Sequence, residues 1–282
     1  MYVVTGATGQ LGRLVVEGLL AAVPANEIAV VVRSAAKAEE WAKQGVRVHE
    51  ADYNRPETLA GVFAAGDRVL LISGNEFGRR AAQHGAVIDA AKAAGVALLA
   101  YTSILGTATF GLADEHRETE EALLGSGLPY TLLRNGWYTE NYLGDAAGTV
   151  ERGAVVGSAD DGRVATAPRR DYADAAVAVL VGEGHENKVY ELSGDAAWGL
   201  SELAAELAGA SGRPVEHRNV TPAEHREVLI GAGMPEGYAD VFVDVDAGIA
   251  RGELATAPGD LARLIGRPTV PLATTVRAVL GA

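Results

Sequence analysis

The chain contains no cysteine among its 282 residues. This absence excludes disulfide bonds, thiolate nucleophiles and metal or cluster sites with cysteine ligands. It is compatible with a reducing cytosol.

Basic residues are also few, with 24 Lys and Arg against 37 Asp and Glu, so that the formal net charge is -13. The basic residues form no run longer than the pair Arg169-Arg170. A strongly negative protein repels polyanions. We therefore expect no nucleic-acid partner.

Long apolar runs are missing as well. No run approaches the roughly 18 residues of a membrane-spanning helix, and Met1 leads directly into an apolar stretch without the basic residues that open a signal peptide. The sequence predicts no membrane insertion and a soluble, cytoplasmic protein.

Two catalytic motifs of other enzyme classes are absent. There is no Gly-x-Ser-x-Gly motif of a hydrolase and no His-Glu-x-x-His motif of a zinc enzyme. The histidines are scattered along the chain, so we predict no metal site. They are His49, His84, His116, His185, His217 and His225.

The first half of the chain alternates short β-branched runs with helical patterns, which is typical of βαβ units and a parallel sheet. A helix is predicted over Gln10–Ala22, and a second helix ends at Gly95. The sequence therefore predicts an α/β fold, a doubly wound Rossmann sheet with ligands at the carboxyl ends of its strands. The predicted strands are Tyr2–Thr5, Ile28–Arg33, Arg47–Asp52, Arg68–Ser73, Ala97–Ser103 and Tyr130–Arg134.

The pattern changes after about Gly148. Two short strands are predicted between residues 151 and 170, Asp171 is predicted to cap the next helix, and "KVYELSG" predicts a strand. From Val215 onward the segments look helical. We predict a nucleotide-binding domain over residues 1–148 and a smaller, mostly α-helical α/β substrate or lid domain over residues 149–282, partly intertwined with the first.

Three glycines lie between the first predicted strand and helix, in Gly6-Ala7-Thr8-Gly9-Gln10-Leu11-Gly12. The first permits a tight turn, the second lets the backbone approach a pyrophosphate, and the third allows close helix packing. The helix N-terminus then faces the anion. This context predicts a dinucleotide site, the alternative being a purely structural turn. A P-loop is excluded because no Gly-Lys-Ser/Thr follows.

Arg33 occupies the end of the second strand, where an NAD-selective site has an acid for the ribose 2′-hydroxyl. The nearest acids are Glu27, at the wrong end of the strand, and Glu39, in the next helix. A guanidinium there would bind a 2′-phosphate, which favours NADP(H). The alternative is a solvated arginine. Asp52 could contact adenine or cap its own loop.

Typical short-chain dehydrogenases use a Tyr and a Lys four residues later, and none of the four lysines here follows a Tyr in that way. Other candidates for the proton are Ser103 at a strand end, His116 on the following helix and Tyr138. Each has a structural alternative: a local cap for Ser103, a solvated surface position for His116, and loop packing for Tyr138.

Several segments resemble a known family. They are "VTGATGQLG", "DYNRPETL", "DAAKAAGV", "AYTS", "GLADEH" and "YTLLRNGWYTENYL". Together they are similar to the NmrA-like branch of atypical short-chain dehydrogenases/reductases, and within it to the bacterial type 2 NAD(P)H:quinone oxidoreductases. The similarity extends over essentially the whole chain.

The resemblance implies a two-domain enzyme in which NADPH reduces a quinone in the cleft between the domains. It also implies which residues bind the cofactor. The pyrophosphate would lie on Gly6, Ala7, Thr8, Gly9, Gln10 and Leu11, the 2′-phosphate on Arg33, the middle of the cofactor on Ser73, Gly74 and Asn75, and the nicotinamide under Trp137, Tyr138, Thr139, Glu140, Asn141 and Tyr142.

Two departures from the family pattern are visible. Gly74-Asn75 stands where small hydroxyl residues are expected, which leaves backbone contacts there. The loop "GTATFGLADEH" is altered, which would change the acceptors that fit.

Quinone chemistry is consistent with the missing Tyr-Lys pair. Hydride addition to a quinone leaves a phenolate-type anion, and a phenol ionises near pKa ~10, so that water or a weak donor can protonate it. No flavin-specific feature is present, so we expect direct hydride transfer. Two alternatives stay open: a non-catalytic NADP-sensing regulatory protein, and an NADP reductase of another activated double bond or carbonyl. The oligomeric state, a homodimer included, also stays open.

Overall fold

The computed structural model describes residues 1–106 and 113–282. Its main feature is a seven-stranded sheet in the order β3-β2-β1-β4-β5-β6-β8, with every neighbouring pair parallel. A separate two-stranded sheet pairs β7 with β9.

The strands are β1 (Tyr2–Thr5), β2 (Ile28–Val32), β3 (Arg47–Glu50), β4 (Arg68–Leu71), β5 (Leu98–Ile104), β6 (Tyr130–Asn135), β7 (Ala154–Gly157), β8 (Lys188–Leu192) and β9 (Glu216–Asn219). The α-helices are α1 (Gln10–Ala22), α2 (Glu39–Lys43), α3 (Arg80–Ala94), α4 (Asp114–Ser126), α5 (Glu140–Leu143), α6 (Ala146–Arg152), α7 (Arg169–Val181), α8 (Leu200–Ser211), α9 (Pro222–Gly231), α10 (Glu236–Ala250), α11 (Asp260–Ile265) and α12 (Leu272–Leu280).

Both faces of the main sheet are covered, because successive strand side chains point to opposite faces. Val4 packs into the core that includes residues of α1 and α7. Its neighbour Val3 packs into the core that includes residues of α3 and α4. The strands therefore read as continuous apolar runs, as those of a parallel sheet covered on both faces should.

The predicted Rossmann fold is confirmed. Each strand predicted in the first half is present within a few residues, and the predicted helix Gln10–Ala22 has the bounds of α1. Gly95 ends α3 in the left-handed conformation, at φ 70°, a conformation that favours glycine over residues with a Cβ.

The second half contributes to the main sheet and also forms a separate core. β8 pairs with β6 at the sheet edge, whereas residues of α6, α8, α10 and α12 form a third core. The division into two intertwined domains is an expectation from the sequence. The boundary between residues 148 and 149 stays a prediction.

Three local predictions in this half are wrong. The segment Glu216–Asn219 is a strand, β9, because it pairs with β7. The second short strand after β7 is reduced to two isolated bridges, one between Val164 and Trp198 and one between Ala167 and Tyr138. Asp171 is not the cap of α7, since the helix begins at Arg169.

Asp171 instead ties the C-terminal segment to the body of the protein. Its side chain is fully buried and accepts hydrogen bonds from Arg267 Nη2 and the amide of Val270, both at 2.8 Å. A buried carboxylate requires such partners. No helix in the described ranges 1–106 and 113–282 is long and apolar enough to cross a membrane.

Candidate functional site

The sheet order places the predicted cofactor residues at one edge. β1 lies between β2 and β4, and the chain order reverses at this point of the sheet. In such sheets, ligands bind in the crevice at the carboxyl ends of the strands beside the reversal. The loops after β1, β2, β4 and β6 all meet at this edge, because the strands are parallel.

The loop after β1 has the geometry of an anion site. Gly6 has φ 61°, in the left-handed region, and the Gly9 amide donates to the Gly6 carbonyl at 3.0 Å. A Cβ on Gly12 would lie 2.5 Å from the Gly6 oxygen and 2.7 Å from Ala7 Cα. α1 begins directly after this loop and has no side-chain cap, so its N-terminal amides are left for a ligand and the positive end of its dipole lies here. This loop fits a pyrophosphate.

Arg33 follows β2 and has a highly exposed side chain, at 73%. Its Nη1 lies 3.7 Å from Glu76 Oε1, in the loop after β4. An exposed guanidinium at this point fits a 2′-phosphate. Asp52 Oδ1 accepts from the Asn54 amide at 3.0 Å, which supports the local-cap interpretation; its contact with adenine stays a prediction.

The backbone of Gly74 is held from helix α3 on both sides. Its amide donates to His84 Nε2 at 2.9 Å, and its carbonyl accepts from Arg80 Nε at 2.6 Å. A Cβ on Gly74 would lie 2.9 Å from Gln83 Oε1. The nearest atom is the flexible end of a side chain, so an added methyl group would require Gln83 to move. Both polar backbone groups of Gly74 are bonded to α3, and the contact of this stretch with the cofactor stays a prediction.

The sequence interpretation missed His84 and Arg80 as site-supporting residues. Their spacing of four places them on one face of a helix, and this is the only signal that could have paired them. Nothing in the sequence indicates that this face meets Gly74.

The hydrogen bonds of His84 define its protonation state. Thr119 Oγ1 donates its proton to the Glu115 carbonyl at 2.8 Å, so His84 Nδ1 donates to Thr119 Oγ1 at 2.9 Å. Nε2 then accepts from Gly74, and the ring is neutral. Burial, followed by the charge of Arg80, lowers the pKa of His84 to about 4.

Ser103 is engaged in a buried ion-pair network. Its hydroxyl donates to Glu120, whose side chain is 6% exposed. Arg134 donates to both oxygens of Glu120, at 3.0 and 2.6 Å, and to Glu191 at 2.7 Å. The serine hydroxyl is therefore committed to this network.

His116 is buried, at 5% exposed, so the expectation of a solvated surface position is wrong. Helix α4 packs this face against Tyr101 of β5, whose hydroxyl lies 2.7 Å from His116 Nδ1. Burial, followed by the charge of Arg80, lowers the pKa of His116 to about 3. The ring is consequently neutral near pH 7.

Tyr138 packs edge-on against Tyr172, with ring centroids 5.1 Å apart, and the Arg169 guanidinium lies 4.7 Å from its ring centroid. Asn135 Nδ2 donates to its hydroxyl at 3.3 Å. Burial raises the pKa of Tyr138. Ser103, His116 and Tyr138 thus contact three different sets of partners and form no joint catalytic group.

Three predicted nicotinamide contacts face the C-terminal half. Thr139 Oγ1 lies 2.8 Å from Thr166 Oγ1. Glu140 accepts from the Arg169 amide at 3.0 and 3.1 Å, and Asn141 Oδ1 accepts from Arg169 Nη2 at 2.9 Å. These bonds hold the loop after β6 against the start of α7.

Two aromatic pairs connect the sheet edge to α10. Phe77, after β4, meets Tyr238 at 5.7 Å between ring centroids, and Trp137, after β6, meets Phe242 at 5.6 Å. Because β4 and β6 flank β5, the pairs straddle the carboxyl end of that strand. Phe77 and Tyr238 form the more exposed pair, at 42% and 39%.

Buried polar atoms without partners accompany the inner aromatic pair. They are Trp137 Nε1, the Tyr142 hydroxyl and Asn135 Oδ1. The pKa of Tyr142 is raised well above its ordinary value by burial first and by Asp246 second, and is partly lowered by the polar Trp137 side chain. Unpaired buried polar atoms are costly, and the effect of Trp137 on the pKa of Tyr142 shows that the indole faces this hydroxyl.

The altered loop predicted to affect the acceptor includes residues 107–112, which lie outside the described residues. Among the residues that the structure describes, no group of three or more His, Asp or Glu side chains could hold a metal ion.

Comparison with known proteins shows the family of the chain. Residues 6–182 match the family described as NAD(P)H-binding. Quinone oxidoreductase 2 of Escherichia coli (strain K12) is 50% identical over 278 residues, covering 98% of this chain and 97% of that protein. The crystal structure of the NADPH-dependent quinone oxidoreductase from Escherichia coli complexed with NADPH has a TM-score of 0.95 and 49% identity, covering 99% of both chains.

Two further relatives widen the comparison. The Citrobacter sp. triphenylmethane reductase complexed with NADP(H) has a TM-score of 0.95 and 40% identity, covering 99% of this chain and 100% of that one. An NmrA-like family domain-containing oxidoreductase of Aspergillus flavus is 28% identical, covering 99% of this chain and 94% of that protein. The chain therefore belongs to the NAD(P)H-binding family and is related to its NmrA-like reductases.

Proposed function

We propose that the protein is an NADPH-dependent reductase that transfers a hydride to a quinone. The observation that carries this proposal is the alignment, over nearly the whole chain, with the quinone oxidoreductase of Escherichia coli whose structure contains NADPH. The regulatory-sensor alternative is not favoured, because that full-length relative is an enzyme.

The described residues fit NADP(H). The glycine loop and the first turn of α1 would hold the pyrophosphate, and Arg33 the 2′-phosphate. The fixed backbone of Ser73, Gly74 and Asn75 would lie along the middle of the cofactor, and Trp137 to Tyr142 at its nicotinamide end. When bound, the cofactor supplies the hydride.

The aromatic side chains after β4 and β6 and on α10 fit a planar acceptor. Phe77 pairs with Tyr238 and Trp137 with Phe242, so that both pairs join a loop at the carboxyl edge of the sheet to α10. Aromatic rings attract one another at such centroid distances. A quinone held there would be oriented by its ring faces and shielded from water.

The acceptor oxygens would meet hydrogen-bond donors. The Trp137 indole and the Tyr142 hydroxyl form no hydrogen bond of ordinary geometry within the described residues, and the indole faces the hydroxyl. Since burial and Asp246 raise the pKa of Tyr142, this phenol keeps its proton near pH 7. It donates a hydrogen bond to the developing anion, and water delivers the proton that completes the hydroquinone.

The proposal also includes the cellular compartment and the oligomeric state of the protein. We assign the protein to the cytoplasm, where a chain without cysteine needs no oxidising compartment, and fractionation of cells tests this. We also propose a homodimer, which sedimentation of the purified chain tests.

The decisive experiment follows the loss of NADPH absorbance with a small benzoquinone and identifies the product. We expect one hydroquinone for each NADPH consumed. Tight NADPH binding without turnover over a panel of quinones would favour the regulatory sensor. Turnover of only other activated double bonds or carbonyls would favour the third alternative.

A further inference from the structure

Glu76 lies beside Arg33, the residue proposed to bind the 2′-phosphate on the adenosine ribose. Arg33 follows β2 and Glu76 follows β4, and β1 runs between these strands. The Arg33 Nη1 to Glu76 Oε1 distance of 3.7 Å therefore spans the crevice at the end of β1, above the glycine loop. The pair flanks the place where the ribose of a bound dinucleotide would lie.

The carboxylate of Glu76 is held from the wall of the crevice. Asn54 Nδ2 donates to its two oxygens at 3.1 and 3.4 Å. Gln83, a buried residue of α3, donates to Asn54 Oδ1 at 3.1 Å. Arg79 Nη1 lies 3.8 Å from Glu76 Oε2. Glu76 is thus fixed by neighbours, whereas the side chain of Arg33 is mostly exposed and able to move.

An acid in this position has a known chemical use. In NAD-binding folds, a carboxylate at the end of the second strand accepts hydrogen bonds from the ribose hydroxyls. Here the second strand ends in Arg33, and the loop after β4 brings in the acid from elsewhere in the chain. The tertiary structure thus places a carboxylate next to Arg33.

We infer that Glu76 and Arg33 form a two-way selector, in which Glu76 binds the ribose hydroxyls of NADH and Arg33 binds the 2′-phosphate of NADPH. The inference rests on the proposed function and deepens it. An exposed ion pair contributes little to stability, so Arg33 leaves Glu76 at low cost when a phosphate arrives. The remaining carboxylate then repels that phosphate, which limits the preference for NADPH.

Calorimetric Kd values for NADPH and NADH at one ionic strength test the selector. For Glu76→Gln we expect NADH binding to weaken about fivefold to tenfold, and NADPH binding to tighten about twofold to fivefold. For Arg33→Ala we expect NADPH binding to weaken about tenfold to a hundredfold, with NADH binding within about twofold of the wild type.

Glu227→Gln is the matched control. Glu227 is an exposed acid on α9, and its replacement changes the net charge as Glu76→Gln does. A general effect of charge on binding a polyanion would therefore appear in both variants. Glu76→Asp should retain part of the NADH affinity, and thermal unfolding shows that each variant is folded.

The outcomes separate the inference from the proposed function. Opposite changes for the two nucleotides in folded Glu76→Gln support the selector. The selector is overturned if Glu76→Gln changes the Kd values of both nucleotides equally, or changes them no more than Glu227→Gln does. It is also overturned if the wild-type chain binds NADPH but not NADH. Each of these results leaves the reductase proposal standing. If the wild-type chain binds neither nucleotide, the reductase proposal itself fails.

Discussion

The Nε2 atom of His84 accepts a hydrogen bond from the amide of Gly74 at 2.9 Å. The bond joins the buried face of α3 to the strip of backbone proposed to lie along the cofactor. It exists only while the imidazole is neutral, because a protonated Nε2 would present a hydrogen to the amide hydrogen. Protonation of the His84 ring in acid therefore affects both the fold and the proposed cofactor site.

The first prediction is a loss of stability in mild acid. The pKa of His84 is lowered from 6.5 to about 4, so between these values the unfolded chain binds more protons than the folded chain. The unfolding free energy is therefore highest above pH 6.5 and falls as the pH is lowered toward 4. At pH 5, His84 accounts for a loss of about 2 kcal/mol of unfolding free energy. Urea unfolding at pH 7 and pH 5 measures it.

His84→Gln provides the comparison for that measurement. Its side-chain oxygen is able to accept from the Gly74 amide and takes up no proton in this range. We expect a smaller fall in unfolding free energy between pH 7 and pH 5 than in the wild type. An identical fall would contradict the assignment to His84 and leave His116, with its pKa near 3, as the main contributor.

The second prediction concerns Gly12. A methyl group there would meet the backbone of Gly6 and Ala7 at 2.5 and 2.7 Å, so Gly12→Ala must shift the loop or the helix. We expect a loss of about 1–3 kcal/mol in unfolding free energy and weaker NADPH binding, measured by urea unfolding and calorimetry. Gly85→Ala, inside α3, is the control, since no atom outside the neighbouring residues and backbone of its own helix lies within 4 Å of an added Cβ. Equal effects of the two variants would argue against a packed glycine loop.

The third prediction separates structure from catalysis at Ser103. Because its hydroxyl donates to buried Glu120, Ser103→Ala should lower the unfolding free energy by about 1 kcal/mol. We expect kcat for quinone reduction to stay within about threefold of the wild type. A drop in kcat of a hundredfold in a folded variant would restore Ser103 as a catalytic residue.

The fourth prediction tests the aromatic cleft. Phe242→Ala removes the ring that meets Trp137 at 5.6 Å. We expect the KM for a small benzoquinone to rise about threefold to tenfold, which corresponds to the worth of an aromatic contact, while the Kd for NADPH is unchanged. Leu124→Ala, an exposed apolar position on α4, should change neither value. If quinone KM is unaffected in Phe242→Ala, the acceptor binds elsewhere.

Local patterns made much of the fold predictable. The apolar runs that form β1, β2 and β4 are short and bounded by turns, and the 3.6-residue period of Gln10–Ala22 gives α1 its bounds. The glycine loop is equally local, since the conformation of Gly6 and the close approach at Gly12 depend on neighbours within the same seven residues. Such features follow from the sequence because the interacting atoms are close along the chain.

Contacts between distant segments could not be predicted from these local patterns. Asp171 lies in the position of a cap by sequence, but its partners come from the last residues of the chain. The segment that forms β9 has little apolar character and becomes a strand because β7 offers it an edge. The sequence around His116 indicates a surface residue, but the packing of α4 against β5 buries its side chain.

By itself, the sequence determined the class of ligand at the crevice, because a glycine turn, a helix start and a basic residue at a strand end are local chemistry. Only the tertiary structure decided that Glu76 meets Arg33 and that His84 holds Gly74. Strand order and helix packing brought those partners together. The residue spacing within a single segment determines neither the strand order nor the packing.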